Sequence, residues 1–130
     1  MKLRFVQNSL RLRLRKSELK KLQETNQIDE SVTFGPGQTL VYQLQSLNTT
    51  NQPEISYTDG NIVVQLPKPL VTQWANSDQV SIEYHLSVNK TDQLHLLIEK
   101  DFPCQHQEEE NFEDTFFELS DFSYSNEQKA

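Results

Sequence analysis

The 130 residues carry 19 acidic and 12 basic side chains, a net charge of −7, with 35% hydrophobic residues, three glycines and one cysteine. That length suits a single domain able to bury a core without staples. No stretch approaches the ~20 apolar residues of a membrane helix, and basic residues interrupt every short hydrophobic run near the start, where a signal peptide would need one. A lone Cys104 excludes an internal disulfide, so the expectation is a cytoplasmic protein with no membrane partner. The charge is segregated: residues 1–24 hold eight of the twelve basic residues for a net of +6, whereas residues 104–130 hold a net of −7. Such a basic head and acidic tail can neutralise each other or meet partners of opposite charge.

In chain order, Lys2 to Val6 reads as a strand with Leu3 and Phe5 inward. Gln7-Asn8 is a turn, since Asn tolerates the positive φ of tight hairpins. Ser9 to Arg15 alternates strictly, placing Leu10, Leu12 and Leu14 on one face and Arg11, Arg13 and Arg15 on the other. Leu and Arg favour helices, but six consecutive alternations fit a period of two and not 3.6. Ser17 is an N-cap for a short helix from Glu18 to about Glu24, with Leu19 and Leu22 on its buried stripe. Ile28 to Phe34 resumes a strand with Ile28, Val32 and Phe34 on one face and Glu30 an exception among them. Gly35-Pro36-Gly37 turns the chain into Thr39 to Gln45. After a polar loop at Asn48 to Pro53, Glu54 to Tyr57 and Asn61 to Leu66 flank Thr58-Asp59-Gly60, where Asp-Gly is a strong hairpin signal. Pro69 fits the first turn of a second helix, with Leu70 and Trp74 facing the sheet.

Val80 to Phe102 reads as a β-hairpin and is the densest candidate surface for chemistry. Its first arm sets Val80, Ile82, Tyr84, Leu86 and Val88 against the core and Glu83 and His85 on the polar face; its second arm adds His95, Leu97, Glu99 and Asp101 to that polar face. Two registers keep the core faces together. A five-residue loop pairs Val88 with Leu94 and opposes Glu83 to Glu99; a three-residue loop pairs Val88 with Asp92 and opposes His85 to His95. Beyond Pro103 the pattern dissolves into acids with Phe112, Phe116, Phe117 and Phe122. That segment reads either as a partly disordered tail that docks through aromatic anchors or as a cap on the core.

Arginines two residues apart on a strand repel unless they are spread over water, paired with carboxylates or used on anions. Together with Arg4 they form a basic face whose planar forks match phosphate oxygens. Nucleic acid is not expected, because no aromatic residues interleave with the basic ones and the acidic tail competes for the face. Glu83, His85, His95, Glu99 and Asp101 offer carboxylate and imidazole donors, with Cys104 and His106 just beyond, but without a recognised metal-ligand spacing. No Gly-rich phosphate loop or nucleophile elbow is present.

The set Met1-Lys2-Leu3-Arg4, Asn8-Ser9-Leu10-Arg11-Leu12-Arg13-Leu14, Ser17-Glu18, Phe34-Gly35, Trp74-Ala75-Asn76-Ser77-Asp78-Gln79-Val80 and Leu97-Ile98-Glu99-Lys100-Asp101-Phe102 with Cys104 resembles a family of short bacterial proteins known only as a domain of unknown function. The resemblance runs from Met1 to about Asp114 and implies a bacterial cytosolic protein, with no catalytic residues to carry over. A looser analogy is to triphosphate-tunnel enzymes, which line an antiparallel barrel with alternating basic residues and carboxylates; their acidic opening motif is absent, Lys2 and Arg4 standing there instead.

The expected fold is α+β: about eight mostly antiparallel strands in a curved sheet or partly open barrel with two short helices, over residues 1–103, followed by the acidic tail 104–130. The expected function is a non-enzymatic binding module for an anionic small molecule or a protein partner, using Arg4, Arg11, Arg13, Arg15, Glu83, His85, Glu99 and Asp101, with no catalytic residue and no cofactor. The alternative is a metal-dependent phosphohydrolase with Arg11 and Arg13 on phosphates and Glu83, Glu99 and Asp101 on Mg²⁺ or Mn²⁺.

Overall fold

The structure is a computed structural model and describes residues 1–102; the acidic tail and its phenylalanines lie outside the described residues. In chain order the elements are β1 (Lys2–Val6), β2 (Ser9–Leu14), α1 (Lys16–Thr25), β3 (Gln27–Gly35), β4 (Gln38–Leu47), β5 (Glu54–Thr58), β6 (Asn61–Pro67), α2 (Lys68–Ala75), β7 (Ser81–Ser87) and β8 (Gln93–Lys100). The period-two reading of Ser9 to Leu14 holds against helix propensity, because the three leucines bury one face of β2 while the arginines stay on the other. No helix among the described residues is long and apolar enough to cross a membrane.

The eight strands form two four-stranded sheets, ordered β1-β2-β8-β7 and β3-β4-β6-β5. In each the outer pairs are antiparallel and the central pair, β2 with β8 or β4 with β6, is parallel. A single curved sheet or partly open barrel was the expectation; the α+β class with eight strands and two helices holds, but the described strands form two sheets and close no hydrogen-bonded ring. Each helix follows a central strand and carries the chain from one sheet to the other. The parallel β4–β6 pair encloses β5, which returns antiparallel on the far edge of β6.

The described residues form two ββαββ halves. Exchanging β1 with β5, β2 with β6, α1 with α2, β3 with β7 and β4 with β8 turns one sheet order into the other. The registers agree as well: Leu12 pairs with Ile98 as Val64 pairs with Leu44, and Arg13 pairs with Glu99 as Gln65 pairs with Gln45.

The apolar faces of both sheets and both helices meet in one core, with Leu12, Leu14, Leu22, Leu44, Val64, Leu66, Trp74, Leu96 and Ile98 almost wholly buried. In α2 the buried residues are Val71 and Trp74, Leu70 being only partly covered; the Trp74 indole N–H donates to the Val80 carbonyl at 3.0 Å. Edge strands bury less than their alternation suggests. Phe5 is 58% exposed and Phe34 70%: β1 and β3 are edge strands of their sheets, and both phenylalanines stand near hairpin ends. Phe5 joins Leu10, Leu40, Ile55, Tyr57 and Ile62 around an open groove between the sheets of about 370 Å³.

The turns follow backbone chemistry. Asp59 and Gly60 both take positive φ (52° and 80°), as a two-residue hairpin with the right-handed strand twist requires. At the first hairpin the positive φ falls on Gln7 (52°), while Asn8 ties the turn to β8: its carbonyl accepts the His95 N–H at 3.0 Å. The N-cap of α1 is Arg15, not Ser17, and Glu18 accepts the Arg15 backbone N–H at 2.8 Å.

Glu18 also anchors the first residue. The amino group of the buried Met1 donates to the carboxylates of Glu18 and Glu30, and the Tyr42 hydroxyl donates to the Met1 carbonyl at 3.1 Å. This is why Glu30 interrupts an otherwise apolar face of β3. Burial by itself raises the Glu18 carboxyl, but the hydrogen bonds from the amino terminus and from Arg15 outweigh it and bring the group from 4.5 to about 2. Burial, followed by the neighbouring Glu30 charge, pushes the Tyr42 phenol above its usual range.

Two outcomes are expected. Trp74→Ala should cost about 3–5 kcal/mol in urea unfolding, from the cavity and the lost indole bond. Because Glu18 has the depressed value when folded, its stabilisation is full above pH 4.5 and is lost as pH falls toward 2. The unfolding free energy should therefore drop by roughly 2–3 kcal/mol more over that window in the native protein than in Glu18→Gln.

Candidate functional site: the outer face of the β1-β2-β8-β7 sheet

The sheet places its polar residues in rows across four strands. One row runs Lys2, Arg13, Glu99, Ser81; the next runs Arg4, Arg11, Leu97, Glu83; a third holds Ser9, His95 and His85. The face thus grades from cations on β1 and β2 to carboxylate and imidazole on β8 and β7. Directly opposed like charges are destabilising, yet two such pairs, Lys2 with Arg13 and Arg4 with Arg11, lie side by side.

Glu99 relieves part of that repulsion. Its Oε2 accepts from Arg11 Nη2 at 2.8 Å and Arg13 Nη2 at 3.1 Å, and its side chain is only 14% exposed. The parallel pairing of β2 with β8 sets Arg13 beside Glu99 and the 3.6-period alternative never could. Asp101 stands further off, 3.9 Å from Arg13 and 3.8 Å from Lys2. Lys2, Arg4, Arg11 and Arg13, with Leu3 and Glu99, line a groove of about 360 Å³. Among the described residues, four cations face one carboxylate inside it, and the buried Arg11 Nε has no hydrogen-bond partner.

The second ββαββ half shows what the fold requires at these positions. The counterparts of Lys2, Arg4, Arg11, Arg13 and Glu99 are Glu54, Ser56, Val63, Gln65 and Gln45, related by matching registers. There the central pair is held by a neutral bond, Gln65 Nε2 to Gln45 Oε1 at 3.0 Å. The same scaffold is built without a cation at any of these positions, so packing does not account for the basic groove.

The Val80–Phe102 hairpin takes the three-residue-loop register. His85 opposes His95, Ser81 opposes Glu99, and the Val88 N–H donates to the Asp92 carbonyl at 3.1 Å. Asn89 selects it: its side-chain oxygen accepts the backbone N–H groups of Thr91 and Asp92 at 2.9 and 2.8 Å, an Asx-type turn that fixes a short loop.

Of the sequence-predicted residues, Arg4, Arg11, Arg13 and Glu99 converge on the groove, with Asp101 at its edge. Arg15 lies apart, capping α1 and pairing with Glu18 at 3.5 Å. His85 and Glu83 gather with His95. Among the described residues the carboxylates Glu83, Glu99 and Asp101 do not assemble as a ligand set. Lys2 completes the groove and was missed as a site residue; its period-two spacing from Arg4 was the available signal.

Over residues 1–119 the chain matches a family of unknown function, DUF7009. It belongs to that family. No curated protein and no solved structure matches the chain.

Removing the Glu99 charge should isolate its role. Glu99→Gln leaves Arg11 and Arg13 beside Lys2 and Arg4 without their shared carboxylate, and the expected cost is roughly 1–3 kcal/mol. Adding 50 mM sulfate or phosphate should restore more stability to this variant than to the native protein in a thermal-denaturation series.

Proposed function

We propose that the protein is a non-enzymatic binding module whose basic groove takes a small anion bearing phosphoryl or clustered carboxylate groups. One observation carries the reading: four cationic side chains from two adjacent strands line one groove that, among the described residues, contains a single carboxylate. Two opposed cation pairs cost free energy in the empty state, and an anion seated between them would relieve that cost while gaining charge-assisted hydrogen bonds. The counterpart face on the other sheet, which carries no cation at the matching positions, supports a role for the charge beyond folding.

A binding module fits better than a hydrolase. Glu99 is engaged by two guanidiniums, so it is a poor candidate for holding a divalent ion at the bound anion. The groove is open rather than enclosed, which leaves water free access and does not favour a reaction that depends on its exclusion.

Calorimetric titration with tripolyphosphate and with citrate tests the reading. Binding should weaken steeply as salt is raised and fall at least about tenfold in Arg11→Ala and in Arg13→Leu, since each removes a charge-assisted bond of about 1.5–3 kcal/mol. Lys90→Ala, in the distant β7–β8 loop, should behave as the native protein. Unchanged affinity in both arginine variants would sink the proposal.

A further inference from the structure

Beyond the groove, and independent of what it binds, we propose that Glu83, His85 and His95 form a binding site for a divalent transition ion of the Zn²⁺ class. Their ligand atoms all lie within 4.8 Å of one another. The two imidazoles are stacked with centroids 4.5 Å apart and planes 3° from parallel, and His95 Nε2 lies 2.6 Å from Glu83 Oε2.

The backbone explains the convergence. The His95 N–H is directed away from β7, to the Asn8 carbonyl across the sheet at 3.0 Å. His85 and His95 are therefore a non-hydrogen-bonded antiparallel pair, the kind whose Cα atoms approach to about 4.5 Å and whose side chains stand closest. Glu83 precedes His85 by two residues on β7 and so projects from the same face. Three donors thus come from two strands held by a ladder, which reduces the conformational freedom lost when an ion binds. Tetrahedral coordination at ~2.0 Å bonds needs donors about 3.3 Å apart, a span that side-chain rotations reach from the observed spacing.

The donor set decides the metal class. Two neutral imidazoles and one carboxylate are ligands for Zn²⁺ and its neighbours, whereas Mg²⁺ and Ca²⁺ take oxygen. The carboxylate-only set considered for Mg²⁺ or Mn²⁺ is not assembled, because the register puts Leu97, not Glu99, opposite Glu83. Three protein ligands leave a fourth position open for water or an exogenous group.

Packing offers no competing explanation. At the matching positions of the other sheet, the counterparts of Glu83, His85 and His95 are Asp29, Ser31 and Val41, and Ser31 pairs with Val41 as His85 pairs with His95. The fold accepts a hydroxyl and an aliphatic group there. Glu83 and His85 are exposed and His95 is half-buried, so the imidazoles are not core filler either.

The test is titration of the full chain with Zn²⁺ by calorimetry and by competition with a chromophoric chelator at pH 7.5, with Co²⁺ as a spectroscopic substitute. The expected result is one equivalent bound with micromolar or tighter affinity, an intense visible Co²⁺ spectrum of tetrahedral type, and no competition from millimolar Mg²⁺. His85→Ala and His95→Ala should each weaken binding at least about tenfold, with a smaller loss in Glu83→Gln. Cys104→Ser and His106→Ala should leave it unchanged. Thermal denaturation of the metal-free variants would verify that they fold. Absence of stoichiometric Zn²⁺ binding, binding that survives both histidine substitutions, or binding abolished by Cys104→Ser would overturn the proposal.

Discussion

The parallel pairing of β2 with β8 is the constraint on which the rest of this structure depends. It joins residues 9–14 to residues 95–100, so nearly the whole described chain is enclosed between its partners, and the loop-closure entropy it must overcome is correspondingly large. Burial along the same two strands supplies the opposing term: Leu10, Leu12 and Leu14 meet Leu96 and Ile98 with almost no exposure. The same contact then decides the chemistry of the opposite face, because Arg11 and Arg13 reach Glu99 only when these strands lie side by side.

That dependence makes structure and function hard to separate on this sheet, and the second half of the chain separates them. In the β3-β4-β6-β5 sheet the equivalent central pairing carries Gln45 and Gln65 with a neutral hydrogen bond. Glutamines, with both donor and acceptor, satisfy one another without any fixed charge. The arginine–glutamate version brings in charge that the ladder does not need, and brings it beside two further cations. Such a local conflict is the observation on which the proposed anion-binding role rests. The face is divided in two by Leu97, with the basic groove on one side and the imidazole pair with Glu83 on the other.

The amino-terminal anchor shows the same economy of construction in a purely structural setting. Met1, Glu18, Glu30 and Tyr42 come from β3, β4, the first helix and the start of the chain, and their mutual hydrogen bonds allow charged groups to sit against an apolar core at tolerable cost. This network holds the beginning of β1 in place, and with it Lys2 and Arg4 at the rim of the groove.

Much of the architecture was legible without coordinates. Alternation located the strands, Asp59-Gly60 and Gly35-Pro36-Gly37 located turns, and the apolar stripes of the helices placed Leu19, Leu22 and Trp74 in the core, because each of these signals is written in local backbone and side-chain chemistry. The arginine row was equally visible, since side chains two apart on a strand share a face whatever the strand pairs with. Strand order was not. Nothing local states that β2 pairs with β8 in parallel, that two sheets form instead of a barrel, or that Phe5 and Phe34 fall on edge strands. Nor does alternation choose between two hairpin registers that keep the same core face; the Asn89 turn made that choice and, with it, brought His85 against His95 and kept Glu99 for the arginines. Periodicity determines which side of a strand a residue occupies, but only packing between distant segments determines which residue it meets there.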